Sequence, residues 1–472
     1  MYNKVLQMFD ANLGFWINSN KVLDSDSRLD PSHYTNHSGK KLNDRIKFKR
    51  LGDFVESIIE PNLFTRYYCA KEFGIPYISS SEMSEIEPPI NSRFISKELT
   101  NDIAQYIISR GQILVSAAGT VGSVVVAPKL LNGVAGTSDI LRINVDPNKY
   151  LGFIYTYLTS AYGITELTNL AYGAIIKRVR GFQLEELKTP VIDAASVSKI
   201  NDLILSSLNK RDEANELISK ARALVLKYNN LPTLDEIEID TIDPNKEVEI
   251  RLASSNEFTN EYRLDANFYS PIAQTAVKNI FHFAKKNIQL GEKEITKRIF
   301  YLNRFTRTFV TEDFGIPYIA GKDIIKIRPY DVSYLSKTET SSLNDYKLEK
   351  GWILMTCSGT LARTCYIWRN YEDWVGTHDL IRIVCSENFD SGYLFAFLSS
   401  PYGYYQAIRY KHGAVIDHLT SDQIEEIVIP IPDTLQMIEI GDLVRKAYDL
   451  RAEAIQIEDE AQKILTEALT GK

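Results

Sequence analysis

The chain has 472 residues, 44% of them apolar and 24% charged, enough for two or three domains with cores of their own, which excludes disorder as the main state. With 54 basic against 61 acidic residues the formal charge is −7, so the chain as a whole is no polycation and any contact with nucleic acid has to be local. Cys69, Cys357, Cys365 and Cys385 show neither C-x-x-C spacing nor a histidine at ligand spacing, so the sequence suggests a reducing cytoplasm, with no disulfide framework, no metal and no cofactor.

Met1 to Asn20 lacks the basic start, apolar block and small-residue cleavage site of a secretory signal, and the protein is expected to stay where it is made. Between Gly39 and Arg50 stand Lys40, Lys41, Arg45, Lys47, Lys49 and Arg50 against Asp44 alone, followed by the aromatics Phe64, Tyr67 and Tyr68 around Arg66. A basic patch with aromatic neighbours suits phosphate contact. The uncharged stretch Gly111 to Pro128 is broken by Ser116, Gly119, Thr120, Gly122 and Ser123, and reads as strand, turn, strand rather than a membrane span. Ile113-Leu114-Val115, Val124-Val125-Val126 and Ile140 to Val145 read as strands, and Tyr150 to Thr159 as a helix, giving an α/β domain. From Val197 a long amphipathic helix follows, with Ile200, Ile204, Ala214, Ile218, Ala221 and Val225 on a seven-residue pattern. The acidic stretch Asn229 to Arg251 then reads as a solvated linker.

Beyond the linker the chain repeats itself. Arg28-Leu29-Asp30 returns as Arg263-Leu264-Asp265. Phe64-Thr65-Arg66 returns as Phe305-Thr306-Arg307, and Gly74-Ile75-Pro76-Tyr77-Ile78 as Gly315-Ile316-Pro317-Tyr318-Ile319, 241 positions on. At 240 positions, Gly111-Gln112-Ile113-Leu114 meets Gly351-Trp352-Ile353-Leu354, and Gly136-Thr137-Ser138-Asp139 meets Gly376-Thr377-His378-Asp379. Gly173-Ala174 meets Gly413-Ala414, and Gln183-x-Glu185-Glu186 meets Gln423-x-Glu425-Glu426. A period this long makes each copy a whole domain, and the pair is expected to be related by a pseudo-dyad. Lys285, Lys286, Lys293, Lys297, Arg298, Arg304 and Arg307 repeat the basic patch beside Phe300, Tyr301 and Phe305. The closing helix from about Gln436 to Leu469 repeats the stripe with Ile440, Val444, Ala447, Ala454, Ile457, Ala461 and Ile464. Arg211 and Arg451 fall in mid-stripe, as register-setting residues of a coiled coil do.

The copies share glycine, proline and core positions, whereas residues 79–110 and 320–350 differ almost throughout. One scaffold thus carries two different surfaces. A phosphate-binding loop of the Gly-x-x-x-x-Gly-Lys type is missing, and so is the Asn-Pro-Pro-aromatic segment of adenine methyltransferases. Cys357 with His378 or His412 makes a weak nucleophile and base, because the first copy has Ala117, Ser138 and Tyr172 in their places.

The ordered set of Gly-Ile-Pro-Tyr-Ile, Gly-x-Ile-Leu, a Gly-Thr turn, Gln-x-Glu-Glu and a long helix, found twice, resembles the specificity subunit of Type I restriction-modification systems over nearly the whole chain. The resemblance implies two globular α/β target-recognition domains separated by two long helices in an antiparallel coiled coil. The expected boundaries are residues 1–194 and 252–432 for the recognition domains, 195–230 and 433–472 for the spacer helices, and 231–251 for the linker. It further implies a non-catalytic subunit that reads a bipartite, asymmetric site on double-stranded DNA and docks methyltransferase and restriction subunits. Phosphate contacts would fall to Lys47, Lys49, Arg50, Arg66, Arg298, Arg304 and Arg307. Base reading would fall to Arg93, Lys177, Arg178, Arg180, Lys322, Lys326 and Arg328. Subunit docking would fall to the helices that carry Ile200, Ile204, Ile218, Val225, Ile440, Val444, Ile457 and Ile464. The rival expectation is a duplicated protein-binding scaffold without a nucleic-acid role.

Overall fold

The computed structural model describes residues 45–89, 93–119, 121–172, 177–234, 263, 265–328, 332–338 and 343–471. Arg28-Leu29-Asp30, Lys40, Lys41, Gly173-Ala174 and residues 235–251 of the expected linker lie outside the described residues. The chain forms two compact units. One holds the described residues up to Ser84 with Pro88–Leu208 and the chain from Ile457 on, and the other holds Glu85–Glu87 with Asn209–Gln456.

In the first unit a four-stranded antiparallel sheet runs in the order Ser57–Ile59, Ile140–Asn144, Ile113–Ser116, Val124–Val126. Its central strand is buried along its whole length, which explains an apolar run without alternation. The helices Leu151–Thr159 and Ala161–Leu170 contribute to the same core. A smaller sheet pairs Gly74–Ile78 antiparallel with Phe94–Ser96 and parallel with Ala135–Gly136. The second unit repeats this plan. Thr296–Phe300, Leu380–Cys385, Ile353–Thr356 and Thr364–Tyr366 form the main sheet, and Phe309–Val310, Ser333–Ser336, Gly315–Ile319 and Val375–Gly376 the smaller one. The register repeats as well, Ile113 opposite Ile143 and Ile353 opposite Ile383. Gly119 and Gly359 share a left-handed φ of 76° and 75°, a conformation that a side chain would strain.

The long helices are Ala194–Tyr228 and Thr434–Thr470. In the first unit Ile200, Ile204 and Leu208 share a core with Ala461, Leu465 and Leu469, while Lys199 pairs with Glu460 at 3.1 Å and Ser207 donates to Glu458 at 2.8 Å. In the second, Ala214, Ile218, Ala221 and Val225 share a core with Ile440, Val444 and Ala447. There Lys210 meets Glu453 at 2.7 Å, Glu213 meets Lys446 at 2.9 Å, and the Tyr228 hydroxyl donates to Glu439 at 2.6 Å. In each unit rising numbers on one helix meet falling numbers on the other, so the helices pair antiparallel. The expected stripe slips at its end, where Ile457 and Ile464 are half-buried and Ala461, Leu465 and Leu469 fill the core. A straight helix of 3.6 residues per turn drifts from a strict seven-residue repeat in this way.

Of the divergent segment 79–110, which falls within the first expected recognition domain, Glu85–Glu87 is built into the second unit. Ile86 N donates to Ile325 O at 2.8 Å, Glu85 pairs with Arg363 at 3.0 Å, and Glu87 pairs with Arg222 at 2.6 Å and Arg451 at 3.2 Å. Arg451 also donates to Asn215 at 3.1 Å, and Arg211 donates to Ile327 O at 3.2 Å. The mid-stripe arginines thus bond beyond the stripe itself. Burial works against the charge of Glu87, but Arg222 and Arg451 outweigh it and hold the carboxyl at about 2, below the ordinary 4.5. The stabilisation is complete above about pH 4.5 and is lost as pH falls towards 2. Glu87→Gln should lower stability at pH 7 by about 2 kcal/mol and flatten the decline of the urea midpoint between about pH 5 and pH 2. An undiminished acid decline in the variant would count against this account.

Candidate nucleic-acid interface

In both units a tight chain approach places an aromatic ring beneath an arginine. A Cβ on Gly74 would stand 2.5 Å from Phe94 Cβ and 2.8 Å from Cys69 Sγ, so glycine is needed for the strand Gly74–Ile78 to lie against its neighbour. On that strand the Tyr77 ring carries the Arg66 guanidinium at 5.9 Å and that of Arg93 at 5.6 Å. In the second unit Arg307 stands 6.0 Å over Tyr318 and donates to its hydroxyl at 3.0 Å. Phe64 on Tyr106 at 4.2 Å and Phe305 on Tyr346 at 4.1 Å complete the two platforms. Cation–π contacts of this kind orient a guanidinium without neutralising it.

Beneath each platform lies a buried arginine that the strand pattern hid. Arg142 and Arg382 are 1% and 0% exposed. Arg382 donates to the carbonyls of Leu380 at 3.0 Å, Gly376 at 2.9 Å and Thr377 at 3.2 Å, and Arg142 donates to Ile107 O. Burial pulls both down to about 10, so both stay charged at neutral pH. Arg382 thereby braces the shared Gly-Thr-x-Asp turn. The signal was a charged residue at one place in two otherwise apolar strands, Ile140-Leu141-Arg142-Ile143 and Leu380-Ile381-Arg382-Ile383.

The arginines expected to read bases in the first copy are each held by a carboxylate. Arg93 pairs with Glu82, Arg178 with Asp139 at 2.9 Å, and Arg180 with Glu60 at 2.5 Å. Arg50 is exposed but meets Glu186 at 3.0 Å and Asp53 at 3.3 Å, which weakens it as a phosphate ligand. Lys47 and Lys49 are exposed on the strand Lys47–Arg50, and Lys177 and Lys322 are exposed as well. In the second unit Arg304 and Arg307 are exposed, as is Arg298, whose guanidinium lies 3.8 Å over Phe300. Lys326 is half-buried, its backbone opposite that of Glu85 and its ammonium pushed down by burial, and Arg328 is half-buried. Neither stands on the exposed face where a base reader was expected.

The stripe residues Ile200, Ile204, Ile218, Val225, Ile440 and Val444 are at most 2% exposed, so they fill the chain's own cores. Cys357 is buried and pushed up to about 11 by that burial, so its thiol stays protonated and unreactive. Burial, with Arg307, Arg304 and Arg382 around it, holds His378 below the usual imidazole range against the pull of Asp379. Among the described residues no helix is long and apolar enough to cross a membrane.

Where the copies share the platform they differ around it. Arg178 bridges to Ala118 as His418 bridges to Ser358, and Ser138 stands where the second copy has His378. Opposite Tyr77 lies Arg93, and opposite Tyr318 lies Ser333. The Arg382→Leu variant leaves three carbonyls without their charged donor and should cost about 1.5–3 kcal/mol in urea denaturation. A midpoint like the wild type's would show that the brace is dispensable.

A family model described as Type I restriction modification DNA specificity domain matches residues 43–225 and again 273–449. No curated protein matches the chain. Among solved structures, the S subunit of a Type I restriction-modification system from M. genitalium is 16% identical, covering 90% of this chain and 95% of that one at a TM-score of 0.32. The HsdS subunit from Thermoanaerobacter tengcongensis is 13% identical, covering 92% and 98% at 0.29. A structure described as the basis of complex assembly and conformational transition of the type I R-M system is 13% identical, covering 92% and 99% at 0.28.

Proposed function

The chain belongs to the family of Type I restriction-modification DNA specificity domains, and on that premise we propose that it is the sequence-reading subunit of a Type I restriction-modification complex. Its two repeats each read one half of a bipartite, asymmetric site on double-stranded DNA, and it docks methyltransferase and restriction subunits through its long helices. It contributes recognition and no bond-breaking chemistry, and it acts in the cytoplasm. The observation that carries this reading is one duplicated platform of arginine on tyrosine surrounded by unlike residues, Arg93, Ser138 and Arg178 in one copy against Ser333, His378 and His418 in the other. A shared platform serves what the half-sites have in common, the phosphate backbone, while unlike neighbours serve the bases.

Lys47 and Lys49 in the first unit, and Arg298 and Arg304 in the second, are the phosphate ligands, with Arg66 and Arg307 on the platforms. Arg93, Lys177, Arg178, Arg180 and Lys322 remain the base readers. Replacing Lys47 and Lys49 by alanine, or Arg298 and Arg304, should weaken binding to every sequence. It should also flatten the slope of log affinity against log salt by on the order of two units, one per lost contact. Fluorescence anisotropy of labelled duplexes measures this, and an unchanged slope sinks the phosphate assignment.

The helices act as the ruler between half-sites. Removing four residues from the middle of each deletes about one turn and about 6 Å of length. Methylation mapping in cells that carry the variant should return the same half-site sequences with the unread spacer shortened by about two base pairs. A spacer of unchanged length would mean that the helices do not set it, and a palindromic wild-type motif would contradict independent reading by the two repeats.

A further inference from the structure

Resting on the reading that the first repeat recognises one half-site, we infer that Glu82 is a positioning residue that presents Arg93 to a guanine in that half-site. Arg93, just before the strand Phe94–Ser96, lies opposite Tyr77 of the strand Gly74–Ile78, Tyr77 N donating to Arg93 O at 2.9 Å. This register brings the Arg93 guanidinium 5.6 Å from the centre of the Tyr77 ring. Its Nη2 pairs with Glu82 Oε2, and the same oxygen accepts from Ser79 N at 2.7 Å and Ser79 Oγ at 2.8 Å. The side chain of Glu82 is 18% exposed and that of Arg93 35%, so the carboxylate is fixed from below while the guanidinium reaches the surface.

An arginine side chain is long and loses much rotamer freedom when it binds. Here a ring contact fixes its tilt and a carboxylate fixes its rotation, before any ligand arrives. The pair spends one of the five guanidinium N–H donors on Glu82, and a planar donor fork remains the natural match for two acceptors side by side. Guanine offers O6 and N7 together in the major groove, whereas adenine sets a donor beside N7 and thymine offers O4 beside a methyl group.

The second unit supplies the control. Asp323 caps the equivalent turn, accepting from Ala320 N at 3.3 Å, but the residue opposite Tyr318 is Ser333. The turn cap is common to both copies, whereas the arginine opposite the platform tyrosine belongs to the first, so a structural role for the carboxylate and a positioning role separate experimentally.

The test is selection of a randomised duplex library by the full-length protein at fixed salt, with sequencing of the bound fraction. Wild type should enrich two half-sites, and Arg93→Ala should abolish the preference for guanine at one base pair of one half-site. Glu82→Gln should weaken the same preference, and no other, by about tenfold, while Asp323→Asn leaves both half-sites intact. Glu82→Asp keeps the charge but withdraws it from Arg93, and should give the same loss if the glutamine variant fails to fold. The inference is overturned if Arg93→Ala changes the preference while both folded Glu82 variants leave it untouched. It is also overturned if Glu82→Gln and Asp323→Asn broaden their own half-sites alike, or if Arg93→Ala affects a base other than guanine. Should wild type enrich no sequence, the recognition reading itself fails, and this inference with it.

Discussion

Burial of the helix stripes is the constraint on which both units depend. Ile200, Ile204 and Leu208 belong to the same core as the sheet residues Ile113, Val115 and Ile143, and Ile218, Val225, Ile440 and Val444 to the same core as Ile353 and Ile383. Each such side chain contributes about 1.5–3 kcal/mol when taken from water, so the helices are part of each unit's core rather than appendages to it. A helix whose stripe is already buried offers a partner only its outer faces. Leu435 and Ile438, 81% and 43% exposed near the start of the closing helix, are apolar residues left on such a face.

Within that frame, charge is distributed between two tasks. Exposed lysines such as Lys47, Lys49, Lys177 and Lys322 keep their charges in solvent, where they act over about a Debye length and lose influence as salt rises. The arginines near the platforms are held instead by carboxylates and rings, as with Arg178 on Asp139 and Arg180 on Glu60. Such pairs are worth little in stability at a surface, but they fix geometry. A chain with formal charge −7 therefore combines weak long-range attraction with donors set in place, a balance that favours discrimination over indiscriminate coating of DNA.

The repeat, the strands Ile113–Ser116 and Val124–Val126 and most of both stripes were legible because glycine, proline and apolar residues act through local geometry and periodicity. The carboxylate partners were not. Arg180 meets Glu60 and Arg50 meets Glu186 across more than a hundred residues, and periodicity holds no information about a pairing set by the folded chain. The buried Arg142 and Arg382 were hidden for the opposite reason, since each sits in an apolar strand whose period says nothing of what a guanidinium inside it will bond. Counting basic residues found the patches, yet it could not separate Lys47, which stays in solvent, from Arg50, which two carboxylates hold.

Divergence between the copies also serves packing. Glu85-Ile86-Glu87 and Lys326-Ile327-Arg328 occupy equivalent places in the repeat, 241 positions apart, and inside the second unit the backbones of Glu85 and Lys326 lie opposite each other in an antiparallel bridge while Ile86 N donates to Ile325 O. Equivalent residues meet wherever a duplicated chain brings corresponding segments together, so two identical copies would set glutamate against glutamate, or lysine against lysine. Like charges brought together in a buried site repel strongly, whereas the sequence as it stands sets opposite charges there, with Lys326 in the field of Glu85, and pairs Glu85 with Arg363 and Glu87 with Arg222 and Arg451. The unlike composition of the two segments at these positions therefore serves packing in the second unit, separately from the unlike residues around the platforms.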